Sequence, residues 1–479
     1  MKNAKMQLSS FLMSACAAEV PAVETGKKYI DTLARRGLTD ENVAVQLAFD
    51  RLNTPVTEKL TAELYDKVNH LCRRYMDKVA RFYLCYDFVP DVNALRTAIL
   101  CLYEKAPVFH SVFVPHPIRP FWRVCDYTID DVLTVMQAED LQAAAIAFLE
   151  QSVAPEDPSQ MKIALVHNEN ESILVFRWNH MIMDGGGFKQ FVSDLCNAYN
   201  EYRQTGNASL AFRTGTRAYS AVYADLPKEK KRKAKLQIAG VAVREKKVLP
   251  FTAKNGEEKN TIVYHAVSEE VVSAAVAVAK QNGATVNDLL SAAYIYAAYK
   301  MIGCEKQPLH LSCAVDLRRY IRNPAALGYT NHTTFMYCSV PQLSESPVQL
   351  LTAVRDSNRK NKADEYLGLH GIPLLHFAYC SMIYAQADAV VRLFYNNANI
   401  ALSNVGPVDS EGFALDGHRV TDALVAGGAK EKPCAAATVL TVNGKLTISV
   451  CTKGNEKDRA MLKEFFAFFE QFLRSIPPK

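Results

Sequence analysis

The segment of this 479-residue chain best equipped for chemistry is Asn179-His180-Met181-Ile182-Met183-Asp184, followed by Gly185, Gly186 and Gly187. It follows an apolar run, Ser172 to Trp178, that reads as a buried strand ending at Asn179-His180. A histidine at the end of such a strand has the fixed backbone that a general base needs. Imidazole titrates near neutral pH, so it can take a proton from an alcohol or amine and later return it. Consecutive glycines let the chain turn sharply and let a ligand come close to the backbone. The same residues also have a purely structural reading, in which His180 is a satisfied core histidine. Asp184 would then be the N-cap of a helix beginning after the glycines. Composition and spacing leave both readings open.

The elements that would position this segment are mixed. Upstream, helical spacing covers Thr57 to Tyr75 and a strand-like run covers Val79 to Val89. Asp91 caps a helix from Val92 to Lys105, and strands follow at Val108–Val114 and Phe121–Val124. A helix from Asp140 to Gln151 and a strand at Met161–Val166 precede Ser172, and a helix from about Gly187 to Arg203 closes a first half. A second half opens with a strand at Thr261–Val267 and a helix at Glu269–Lys280. Thr285 and Asp288 then form a capping-box variant ahead of a small-residue helix. Strands are expected at Leu309–Val315, Thr333–Val340, Ile400–Ser403, Ala436–Val442 and Leu446–Thr452, with helices at Val348–Tyr366 and Arg459–Ser475. The class is α/β in two comparable halves: 56–205 and 261–479, with an extension at 1–55 and a crossover linker at 206–260.

Composition removes several function classes. With 49% hydrophobic and 22% charged residues the chain is globular, and a net charge of +5 over this length does not suggest a nucleic-acid binder. The basic stretch from Lys228 to Lys247 reads as a solvated linker or as an attractant for coenzyme A phosphates or an acidic carrier protein. Twelve scattered cysteines form no Cys-x-x-Cys pair and no zinc-like spacing, so reduced thiols, a cytoplasmic location and no metal are expected. The stretch Met6 to Ala18 is faintly signal-like but interrupted by serines. No run approaches the ~18 apolar residues of a transmembrane segment.

His180-Met181-Ile182-Met183-Asp184-Gly185 resembles the His-x-x-x-Asp-Gly motif of the chloramphenicol-acetyltransferase-like superfamily, which includes nonribosomal-peptide condensation domains and alcohol acetyltransferases. Other stretches are similar in the same order: Val79–Val114, Gly283-Ala-Thr-Val-Asn-Asp-Leu-Leu, Cys313-Ala-Val-Asp-Leu-Arg-Arg-Tyr and Leu402-Ser-Asn-Val-Gly-Pro. The resemblance covers about residues 56 to 479. It implies two chloramphenicol-acetyltransferase-like halves with the active site at their interface, reached by a tunnel from both faces. His180 would deprotonate a hydroxyl or amine acceptor, which attacks a thioester without an acyl-enzyme. The thioester would be an acyl-CoA or acyl-carrier co-substrate, with no bound cofactor. Asp184 would shape the loop by pairing with an arginine, Arg318 first and Arg319 second.

This sequence departs from the condensation-domain pattern at Asn179, where those proteins usually carry a first histidine, and it lacks the plant enzymes' late Asp-Phe-Gly-Trp-Gly. The first departure favours a stand-alone transferase of the alcohol-acyltransferase sort, acting on small-molecule donors and acceptors. An oxyanion would be stabilised by Gly185 or Gly186 N–H groups, or by the Ser403 hydroxyl and Asn404 amide; a strand-end turn accounts equally for the latter two. Asn331 and His332 fit an ordinary turn or a tunnel wall. A condensation protein, a silent scaffold using the same cleft and a thioester hydrolase are the competing readings.

Overall fold

The computed structural model describes residues 59–115, 120–154, 157–208, 215–230, 247–252, 259–369, 382–394 and 398–476. The extension 1–55 and residues 231–246 of the basic stretch lie outside them. In the first half the strands are β1 (Lys59–Thr61), β2 (Val79–Tyr86), β3 (Ser111–Val114), β4 (Phe121–Val124), β5 (Leu133–Gln137), β6 (Met161–His167) and β7 (Ser172–Asn179). In the second they are β8 (Lys259–Val267), β9 (Leu309–Asp316), β10 (Thr333–Val340), β11 (Ile400–Pro407), β12 (Asp422–Ala426), β13 (Ala435–Val442) and β14 (Lys445–Gly454).

They form three sheets, in the orders β1-β4-β3, β12-β2-β7-β6-β5 and β10-β9-β11-β13-β14-β8. The helix expected over Thr57–Tyr75 is split into β1 and a shorter helix, Leu64–Leu71, because Leu60 pairs with Trp122 in the small sheet. Similarly, Val108–Val114 begins as a 3-10 turn over Pro107–His110 and becomes extended only at Ser111.

Strand β7 is buried at all of its positions because both faces of its sheet are covered. On one face the helices Val92–Lys105 and Gly185–Thr205 bring Ile99, Leu102, Phe188 and Phe191 onto Phe82, Phe176 and Trp178. On the other, the helix Leu141–Leu149 places Phe148 and Leu149 over Tyr83 and Val175. The second large sheet is backed by the helices Val286–Ile302 and Glu456–Ser475, whose Tyr294, Phe465 and Phe469 share a core with Ile448 and Val439. The expected capping box is present: the Thr285 N–H donates to Asp288 Oδ2 (2.8 Å), and the Asp288 N–H donates to Thr285 Oγ1 (3.3 Å).

The halves are interlocked rather than merely adjacent. Strand β12, from the C-terminal part of the chain, pairs antiparallel with β2 and completes the first large sheet. Just beyond it, the Asp77 N–H donates to the Ala429 carbonyl (2.8 Å) and the Glu431 N–H to the Tyr75 carbonyl (2.9 Å). No helix among the described residues is long and apolar enough to cross a membrane.

Candidate active site

Strand β7 delivers His180 to the seam between the halves. The His180 N–H donates to the Lys78 carbonyl (2.6 Å), extending the β2–β7 ladder by one residue, after which the chain turns. From the other half, Asn331 Nδ2 donates to the carbonyls of His180 (2.6 Å) and Met181 (3.0 Å). Arg217 donates to the carbonyls of Met181 (3.4 Å) and Ile182 (3.2 Å), while its guanidinium also pairs with buried Asp66 (3.0 Å). Asn179 occupies the position where a condensation domain has its first histidine. Its side chain donates to Gln160 Oε1 (2.9 Å) and accepts from the Met181 N–H (3.1 Å), which makes it part of the loop's framework.

The Asp184 carboxylate, in a residue 1% exposed, is saturated by five contacts. Oδ1 accepts from Arg318 Nη2 (2.8 Å) and the Gly187 N–H (2.9 Å). Oδ2 accepts from Arg318 Nη1 (3.0 Å), the His332 N–H (2.7 Å) and Thr333 Oγ1 (2.8 Å). Asp184 is therefore the N-cap of the helix Gly185–Thr205 and the partner of Arg318 at once. None of these bonds goes to the His180 imidazole. Burial by itself would raise the Asp184 carboxyl, but the Arg318 charge and the converging donors hold it down at about 2. Arg319 instead lies with its guanidinium 5.6 Å from the Tyr320 ring centroid.

His180 Nδ1 is buried and has no partner in hydrogen-bond geometry among the described residues. Burial lowers the His180 pKa below its ordinary value; nearby Lys78 adds to this, while Asp184 opposes it. The neutral imidazole, the form that accepts a proton, is thus favoured at neutral pH. His332 is 0% exposed, with both ring nitrogens unpartnered, and burial pushes its pKa down to about 4.

The glycines differ in what they make possible. Gly185 has open space where a Cβ would stand. A Cβ at Gly186 would lie 2.8 Å from Arg318 Nη1, and one at Gly187 would lie 3.0 Å from Met183 Cβ and 3.1 Å from the Thr330 carbonyl. Gly187→Ala is therefore expected to destabilise the protein by about 1–3 kcal/mol through overpacking. Gly185→Ala should change the denaturation midpoint little; equal effects of the two would contradict this geometry.

Gly185 and Gly186 are the first two residues of the helix, whose opening N–H groups have no intrahelical partner. Ser403 and Asn404 are not joined to the His180 loop by any hydrogen bond among the described residues. Asn404 Nδ2 donates to Asn287 Oδ1 (2.6 Å), and its Oδ1 accepts from the Gly406 N–H (2.8 Å) across a bulge in β11. Lys189 ties that strand to the helix after the glycines by donating to the carbonyls of Val405 (2.6 Å) and Pro407 (3.0 Å). Arg217, Asp66 and Lys78 escaped the sequence reading, since an isolated Arg, Asp or Lys carries no periodic signal. Among the described residues, no group of three or more His, Cys, Asp or Glu could hold a metal.

The family model for the phthiocerol/phthiodiolone dimycocerosyl transferase C-terminus matches residues 257–451. Among solved structures, polyketide synthase associated protein 5 from Mycobacterium tuberculosis is similar at 14% identity and a TM-score of 0.62, covering 87% of this chain and 99% of that one. Trichothecene 15-O-acetyltransferase from Fusarium sporotrichioides is similar at 14% identity and a TM-score of 0.63, covering 86% and 95%. The starter condensation domain of rhizomide synthetase, solved in complex with C8-CoA and Leu-SNAC, gives 13% identity and a TM-score of 0.60, covering 88% and 96%. No curated protein matches by sequence. The chain shares the fold of these acetyltransferase and condensation-domain structures.

Proposed function

We propose that the protein is an acyltransferase that moves an acyl group from a thioester donor to a hydroxyl or amine acceptor, with His180 as general base. The observation that carries this reading is the His180 loop itself. Its backbone is fixed by contacts from both halves, its imidazole is kept neutral by burial, and the neighbouring carboxylate is fully occupied elsewhere. His180 takes the acceptor's proton as the acceptor's oxygen or nitrogen attacks the thioester carbonyl. It returns that proton to the departing thiolate when the tetrahedral species collapses. Asp184 keeps the loop in shape and does not relay protons. The Gly185 and Gly186 N–H groups are the stronger candidates for stabilising the oxyanion, because the Asn404 amide is already engaged.

Acyl-CoA is the expected donor, with an acyl carrier protein as the alternative; the neighbour bound to C8-CoA supports the first. A stand-alone transferase is favoured over a condensation protein because Asn179, in place of the usual first histidine, is built into the loop. The test is incubation of the purified protein with a panel of acyl-CoA thioesters and alcohols or amines, following thiol release and acylated product by mass spectrometry. Acceptor-independent thiol release would point to hydrolysis instead, and absence of both to a binding scaffold.

The lowered His180 pKa sets a pH dependence. A base must be deprotonated to act, so kcat/KM should stay level from neutral pH down past 6.5 and decline only below that value. An acid limb at or above 6.5 in the pH–rate profile would contradict the buried, neutral base.

A further inference from the structure

Two lysines near His180 form no ion pair with a carboxylate among the described residues, although Asp77 acts on Lys78 electrostatically. The His180 N–H to Lys78 carbonyl bond makes these residues cross-strand neighbours at the end of the β2–β7 pair. Met76 bridges antiparallel to Lys430, so Lys430 stands diagonally next to Lys78. The Lys430 ammonium donates to the Ala398 carbonyl at a long 3.4 Å. No hydrogen bond or ion pair among the described residues holds the Lys78 ammonium.

Both lysines are partly exposed because they face cavities. Lys78, with Asn179 and Met181, lines one of about 220 Å³, and Lys430 lines one of about 260 Å³. The two cavities share Arg73, Met76, Asp77 and Lys453 in their walls. The nearby carboxylates are largely committed: Asp77 to Arg81 (2.5 Å) and Asn260 (3.2 Å), Asp388 to Arg74 (3.1 Å) and Arg392 (2.6 Å), Asp458 to Lys432 (2.7 Å). Glu431 faces the larger cavity together with Lys430. Burial lowers the pKa of both lysines, Lys430 to about 8 with Lys78 contributing, as expected of cations short of counter-charge. Lys78 and Lys430 thus carry positive charge into two adjoining cavities with shared walls, an arrangement that favours an anion there.

We propose that Lys78 and Lys430 form an oxyanion-binding site that receives a carboxylate or phosphate group of the molecule bound at His180. The acyl-transfer reading supplies the two sources: a carboxylate-bearing acceptor or a phosphate of the thioester donor. The inference rests on that reading for the bound molecule's role, but anion binding itself can be measured without turnover.

The experiment compares thermal stabilisation of the full chain by matched probes, coenzyme A against pantetheine and benzoate against benzamide. It uses the wild type, the Lys78→Met and Lys430→Met single variants, and the charge-retaining control Lys78→Arg. The anionic member of at least one pair should raise the Tm of the wild type more than its neutral counterpart. That preference should weaken about tenfold or more in apparent affinity in each methionine variant and persist in Lys78→Arg. Preference within the coenzyme A pair assigns the phosphate, and preference within the benzoate pair assigns the carboxylate. Equal stabilisation by both members of both pairs, or a preference undiminished in either methionine variant, overturns the site. Anion binding without acyl transfer would reject the proposed function and leave this site standing; transfer without anion preference would do the reverse.

Discussion

His180→Ala is expected to reduce acyl transfer by about 10²–10⁴-fold, the usual contribution of a positioned general base, while leaving the protein folded. The loop's shape does not depend on the imidazole. It depends on the His180 backbone, whose N–H meets Lys78 and whose carbonyl meets Asn331, and alanine retains both groups. Removing a ring whose Nδ1 is buried without a partner forfeits no hydrogen bond there. Single-turnover rates with saturating donor, alongside circular dichroism and a melting curve, separate the two effects. Near wild-type turnover by a folded variant would remove His180 from the mechanism.

Arg318→Met should have the largest effect on stability, about 3–5 kcal/mol, because it leaves the Asp184 carboxylate buried without its counter-charge. The remaining donors, the Gly187 and His332 N–H groups and the Thr333 hydroxyl, solvate the carboxylate but do not neutralise it. The pair also predicts a pH signature. Asp184 has its folded-state pKa lowered from 3.8 to about 2, so its contribution to stability is fully present above pH 4. That contribution disappears as the pH falls toward 2. In Arg318→Met, burial is no longer opposed by the guanidinium, so this acid-labile contribution should shrink or vanish. Denaturant titrations of both proteins at pH 7, pH 4 and pH 2.5 measure the loss and its acid dependence; a change under 1 kcal/mol at pH 7 would show that the pair does not hold the loop.

The local features of the site were legible because they are local. The run Ser172–Trp178 is apolar at nearly every position, as a strand covered on both faces must be, and β7 occupies that stretch with Asn179 added. Thr285 and Asp288 lie three residues apart and form a box whose partners meet wherever the helix is placed. Asp184 had two readings, a cap and an arginine partner, and its two oxygens serve both. By contrast, β5 and the crossing strand β12 were not anticipated, and Thr57–Tyr75 was read as one helix because its spacing says nothing about Leu60 pairing with Trp122.

By itself, then, the sequence determined the mixed α/β class, the strand that leads to His180, the helix that begins after Asp184 and the histidine near their junction. These follow from burial periodicity and from hydrogen bonds between residues a few positions apart. Tertiary structure alone decided that Arg217, Asn331 and Arg318, between 35 and 151 residues distant from the loop groups they bind, converge on the loop. It likewise decided that Ser403 and Asn404 stay apart from the loop's hydrogen bonds, and that Lys78 and Lys430 line adjoining cavities. An ion pair or a carbonyl clamp between distant segments is set by the packing of whole sheets, and no spacing along the chain records it.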